Sequence, residues 1–175
     1  MQKVLVLHGA GNNAAMMKRY MRVYEEESTL DFTYVTAPHK ASPQDVSMIP
    51  PKLVDIYGED NLYSFGPVRQ NEDGEWWITQ FEESVKWLVN HINETGPYDG
   101  VACFSQSGYI MRAALNAHLL SFDCPVLRHR PKFLIYFCVP DTREYRKSCR
   151  NPEDTTMVYE GEVDIPCFVL YGEQS

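Results

Sequence analysis

The chain has 175 residues, 44% of them hydrophobic and 23% charged, with 24 acidic against 16 basic side chains for a formal net charge of −8. That size fits a single domain over 1–175 with a sizeable core, and the acidic balance repels phosphate backbones and anionic surfaces, which excludes nucleic acid as an expected partner. No apolar run reaches membrane-spanning length, the amino-terminal run is too short for a signal peptide, and the five cysteines lack the paired spacing of a zinc site, so a cytoplasmic protein with no metal and no cofactor is expected.

The first apolar run, Lys3–His8, reads as a strand, and Ala14–Glu27 behind it as a helix with Met17, Tyr20, Met21 and Tyr24 at helical spacing. Phe32–Thr36 reads as the second strand. The stretch 38–75 then breaks the rhythm with five prolines, scattered charge and the aromatics Tyr57, Tyr63 and Phe65. Loops of that length are uncommon unless they serve a function, and it reads as a surface excursion near the carboxyl ends of the strands, in the position of a lid. Thr79–Glu94 is the clearest helix, with Phe81, Val85, Leu88, Val89 and Ile92 on one face and Gly96-Pro97 as its stop. Asn93-Glu94-Thr95 matches a glycosylation sequon but reads as the end of that helix. Gly100–Phe104 follows as a strand, Gly108–Leu120 as a helix, and Lys132–Val139 and Cys167–Tyr171 as strands on either side of an irregular region at 140–164. Strands apolar on consecutive residues are buried on both faces, and their alternation with helices implies right-handed crossovers. The expected fold is α/β: a three-layer sandwich around a doubly wound, mainly parallel sheet of about five strands in the order 2-1-3-4-5.

One serine stands where strand breaks into helix, in Asp99-Gly100-Val101-Ala102-Cys103-Phe104-Ser105-Gln106-Ser107-Gly108. Small residues, Cys103 and Ser107, stand two positions either side of Ser105, where a nucleophile elbow has glycines. The turn His8-Gly9-Ala10-Gly11 after the first strand supplies the second half of such a site. Backbone amides of Ala10 or Gly11, with that of Gln106, are the candidate oxyanion donors. The expected strand order puts the switch point between the first and third strands, so this turn and Ser105 share one crevice. His8, His39, Trp76 and Trp77 are candidate lining residues of a substrate pocket, although tryptophans before a helix also serve to anchor it. Two other readings stay open. Ser105 reads equally as a strained turn serine without catalytic power, since none of the five histidines stands where this fold presents its base. Gly9-x-Gly11-x-x-Ala14 also satisfies a dinucleotide fingerprint, yet the second strand ends Val35-Thr36-Ala37 without the acid that would hold a ribose.

The ordered set His8-Gly9-x-Gly11-x-Asn13, Ala37-Pro38-His39, Trp76-Trp77, Gly96-Pro97-Tyr98-Asp99-Gly100, Phe104-Ser105-Gln106 and Tyr171-Gly172-Glu173 resembles the FSH family, small serine hydrolases of the α/β-hydrolase superfamily related to the ovarian-tumour-suppressor-candidate hydrolases. The resemblance implies an esterase or thioesterase acting on small acyl esters, with Ser105 as nucleophile and Gln106 with Ala10 or Gly11 as the oxyanion hole. The family shows Gly-Phe-Ser-Gln-Gly, and this chain has Cys103 and Ser107 in place of the glycines. The resemblance also puts the acid at Ser175, the third residue after Gly172, and the histidine beyond it, so the sequence reads as truncated before both. It leaves the fifth strand as a sheet edge open to a partner. The alternative function is a catalytically inactive pseudo-hydrolase that keeps the crevice as a ligand- or protein-binding module.

Overall fold

The computed structural model describes residues 1–70, 72, 76–120, 122–139 and 163–170. The turn Tyr171-Gly172-Glu173, Ser175 and most of the irregular region 140–164 lie outside the described residues.

Five strands form one parallel sheet: β1 (Gln2–Leu7), β2 (Leu30–Val35), β7 (Gly100–Phe104), β8 (Phe133–Phe137) and β9 (Cys167–Leu170), in the order β2-β1-β7-β8-β9. This is the order expected from the sequence. Consecutive apolar residues serve both faces, as the pleat requires. Val4, Val6 and Ala102 pack on one side with Met17 and Met21 of α1 (Ala14–Glu27). Leu5, Leu7, Val101, Cys103 and Leu134 pack on the other with α4 (Phe81–Thr95) and α5 (Ser107–Leu115). Helices therefore cover both faces of the sheet, which makes three layers. Among the described residues no helix is long and apolar enough to cross a membrane.

Local chemistry sets the helix ends. Asn13 caps α1 by accepting the Met16 N–H at 2.9 Å. Helix α4 begins two residues later than its apolar pattern suggests, because Gln80 takes a left-handed φ of 55°. Helix α5 stops at Leu115 rather than Leu120: the Asn116 amide donates to the Arg112 carbonyl at 3.1 Å, and the chain continues as a 3₁₀ turn at Ala117–Leu119. The sequon residue Asn93 uses both ends of its amide on a neighbouring loop, donating to Val126 O at 3.0 Å and accepting from Arg128 N–H at 2.8 Å.

The excursion is itself folded. It carries β3 (His39–Lys40), α2 (Pro43–Ser47), α3 (Pro51–Tyr57), β4 (Tyr63–Ser64) and β5 (Val68–Gln70), the last paired with β6 (Trp76–Ile78) just before α4. Its Leu62 and Phe65 are fully buried. The buried Asp45 carboxylate accepts from Ser42 N–H and Ser42 Oγ (2.8 and 2.9 Å) and from Val68 N–H (3.3 Å), which ties β5 to α2. Such satisfied burial of a charged group fixes the path of a segment that sequence periodicity leaves undefined.

Candidate active site

Strand β7 ends at Phe104, and Ser105 turns the chain into α5 with φ +53°. A non-glycine residue in that conformation costs about 1–3 kcal/mol and persists when its surroundings dictate it. Here the Ser105 N–H donates to Phe137 O at 2.9 Å, and Ser105 O accepts from Gly108 N–H at 3.1 Å. Ser107 adds a lock. Its hydroxyl accepts the Phe104 N–H at 3.0 Å and lies within donating distance of Leu7 O (3.1 Å) and Phe104 O (3.0 Å). A serine in the place of the family's glycine thus joins the end of β1 to the turn. Cys103, in the other such place, is fully buried, and burial pushes its thiol far above the ordinary range, so it remains a neutral small hydrophobe. Gly108 is required by packing, since a Cβ there would come 2.6 Å from Val139 Cγ1.

The turn after β1 lies against Ser105. A Cβ on Gly9 would stand 3.3 Å from Ser105 Cβ and 3.0 Å from Phe104 Cδ1. The amides beyond it are already engaged. Gly11 N–H donates to Ser64 Oγ at 3.0 Å, Asn12 N–H to Tyr63 O at 3.0 Å, Asn13 N–H to Asn12 Oδ1 at 2.8 Å, and Ala14 N–H to Thr36 Oγ1 at 3.2 Å. A pyrophosphate would need amides of this turn and helix start, and these four have other acceptors. Among the described residues the Ala10 and Gln106 amides donate to no group, and the Ser105 hydroxyl has no partner. The Gln106 side chain faces the excursion, accepting Gly66 N–H at 3.2 Å and donating to Gly66 O at 2.6 Å.

The other residues singled out from sequence occupy different surroundings. His8 is fully buried with both ring nitrogens committed: Nδ1–H donates to Gly9 O at 2.7 Å, and Nε2 accepts Ala37 N–H at 2.8 Å. Burial pushes its pKa down to about 4, against the opposing pull of the Gly9 bond, so it is a neutral strut at physiological pH. His39 sits on β3 with Nε2 at 2.9 Å from Ser84 Oγ, and partial burial lowers its pKa while Glu83 opposes the change. Trp76 and Trp77 belong to the β5–β6 hairpin, paired in register with Gln70 and Arg69, and Trp77 is half-buried. His91 stacks on Trp87 at 5.1 Å, while His118 and His129 are exposed. None of the five histidines hydrogen-bonds Ser105. Among the described residues no group of three His, Cys, Asp or Glu side chains could hold a metal ion.

Three participants carry no local sequence signal: Ser64, Gly66 and Tyr63 reach the site from 40 to 53 residues away in sequence. Asn13, by contrast, was readable as a capping residue directly before an apolar-periodic helix.

Among solved structures, the chain is similar to one described as the crystal structure of esterase PE8, with 14% identity, 98% of this chain and 83% of that chain covered, and a TM-score of 0.47. No curated protein matches it significantly. The family model described as serine hydrolase (FSH1) matches residues 1–174, so the chain belongs to the serine hydrolase (FSH1) family, and its function is of the serine-hydrolase type.

Proposed function

We propose that this chain is a carboxylesterase- or thioesterase-like hydrolase of small acyl esters, that Ser105 on a nucleophile elbow forms the acyl intermediate, and that residues 1–175 act as one domain with the excursion covering the site. The observation that carries this reading is the pairing of Ser105, held at φ +53°, with two backbone amides that have no acceptor among the described residues, Ala10 next to the Gly9 that lies against Ser105, and Gln106 directly after it. Gly11, the other candidate donor on that turn, is committed to Ser64. In the first half-reaction Ser105 Oγ bonds to the substrate carbonyl carbon and its proton passes to a base. The carbonyl oxygen, now negative, accepts from Ala10 N–H and Gln106 N–H, each donor contributing on the order of 3 kcal/mol to the barrier. Collapse expels the alcohol or thiol, which takes the proton, and water then attacks the acyl-serine by the same steps to release the acid. The family pattern assigns the base to a histidine after β9, oriented by an acid.

The test is capture of the intermediate. Incubation with a p-nitrophenyl ester followed by an acid quench is expected to leave one acyl group on the peptide containing Ser105, with a burst of p-nitrophenol. A second reading, a binding module without turnover, draws on the Ser105 hydroxyl having no partner among the described residues. It expects acyl esters to raise the melting temperature with no acyl-serine formed, and that result would replace the hydrolase reading.

A further inference from the structure

We propose that one short segment of the excursion, β4 and the bend after it (residues 63–66), sets the position of both oxyanion donors, with Ser64 as a positioning residue for Ala10 and the Gly66 peptide as the corresponding anchor for Gln106. This rests on the hydrolase reading above. The two donors follow the neighbouring strands β1 and β7, whose pairing and Ser107–Leu7 bond set the strand ends, while the turns beyond those ends take a further anchor. Residues 63–66 contact both. On the β1 side, Ser64 Oγ accepts Gly11 N–H at 3.0 Å, and Tyr63 exchanges two backbone bonds with Asn12, at 3.0 and 2.9 Å. These bonds hold Gly11, at φ +64°, and Asn12, and leave Ala10 N–H, directly before them, without an acceptor among the described residues. On the β7 side, both groups of the Gly66 peptide bond the Gln106 side chain, at 3.2 and 2.6 Å, fixing the residue whose own amide is the second donor.

The segment holding these contacts is tightly packed. Ser64 and Phe65 are fully buried, the Phe65 ring lies 5.2 Å from His8 and 6.0 Å from Trp87, and a Cβ on Gly66 would come 2.1 Å from Ile78 Cγ2. A buried amide left without its acceptor costs the full desolvation of that group. Without Ser64 Oγ, Gly11 N–H must find another acceptor, and the turn carrying Ala10 must move to supply one. Oxyanion donors act where charge develops, so a displaced donor lowers kcat and leaves ground-state binding alone.

The experiment compares wild type, Ser64→Ala, Ser64→Thr and Gln106→Met, with active sites titrated by a fluorophosphonate and turnover expressed per titrated site. Exchange of the Gly11 amide with solvent is read in parallel. For Ser64→Ala the expected result is faster Gly11 exchange, an unchanged KM and a kcat per site lower by on the order of 10- to 100-fold. Ser64→Thr, which keeps the hydroxyl, is expected to recover most of that loss. Should Ser64→Ala fail to fold, Gln106→Met carries the same expectation from the other donor. An unchanged kcat per site, or a loss confined to KM or to the fraction of titratable sites, overturns the assignment while leaving the hydrolase reading in place. A folded wild type that takes no fluorophosphonate on Ser105 overturns both.

Discussion

The two flanks of Ser105 differ in kind. On the side facing the excursion, the glycine turn interlocks with it through polar contacts between residues distant in sequence, Gly11 with Ser64, Asn12 with Tyr63 and Asn13 with Asn61, and Gln106 after β7 joins the same segment through Gly66. On the β8–β9 side, all four residues of β9 are exposed, and Phe168 leaves 60% of its surface uncovered although it stands in a strand apolar on both faces. On the proposed mechanism the first flank supplies the dipoles that meet the developing negative charge, and such dipoles act without reorganising only if they are held in place beforehand. The second flank is where the resemblance places the base, and its β9 residues are exposed although the strand is paired with β8 along its length. On the proposed mechanism, the donors for charge stabilisation belong to the described core of the fold, and the base that would activate Ser105 lies outside the described residues.

The largest expected effect separates the chemistry from its scaffold. Ser105→Ala should cut ester turnover by at least about 10³-fold with the melting temperature preserved, because the hydroxyl bonds no described neighbour. A variant that retains turnover would end the role of Ser105. The flanks themselves should then differ under the same truncation. Phe65→Ala on the interlocked side should cost about 3–5 kcal/mol in denaturant unfolding, and Phe168→Ala on the open side less than about 1 kcal/mol. Equal costs would erase the contrast.

Protonation probes the interlocked flank next. His8 takes up its proton near pH 4 in the folded chain, against about 6.5 when unfolded. Between these values the unfolded state binds more protons, so stability is full above the unfolded value and falls as the pH drops toward 4, by about 3 kcal/mol. His39 and His91, also lowered by burial, add slope of the same sign. Denaturant titrations from pH 7 to 4 on wild type and His8→Gln isolate the contribution of His8 as the difference between the two slopes, and parallel slopes would refute its role as a neutral strut. The smallest expected effect is none: NAD should leave the melting temperature unchanged, because four amides following Ala10 already have acceptors. A clear upward shift would reopen the dinucleotide reading.

Much of this fold is legible in the sequence, for reasons that also explain what is not. Helix α1 matches its expected limits at both ends because a clear apolar periodicity is a local signal, and the structure adds Asn13 as its cap. The strand order follows from continuous apolar runs alternating with helices. Ser105 is visible as the residue between strand and helix, and its positive φ is what such an abrupt break demands. That Gly11 N–H is engaged was not legible in residues 8–14, because its acceptor, Ser64, lies 53 positions away. The excursion hid its structure for the same reason. Its prolines and short elements carry no periodicity, and its anchors, Leu62, Phe65, Asp45 and Gly66, act through contacts that form on folding. His8 is the opposite case: its type and place suggest chemistry, but two backbone bonds and full burial make it structural.

The most direct test of Ser105 as an activated nucleophile is fluorophosphonate labelling of the native protein, read by intact mass and peptide mapping. One adduct per chain on the Ser105 peptide, suppressed by prior incubation with a small acyl ester, is the expected result. A folded protein that stays unlabelled, or that carries its label on another residue, would contradict it.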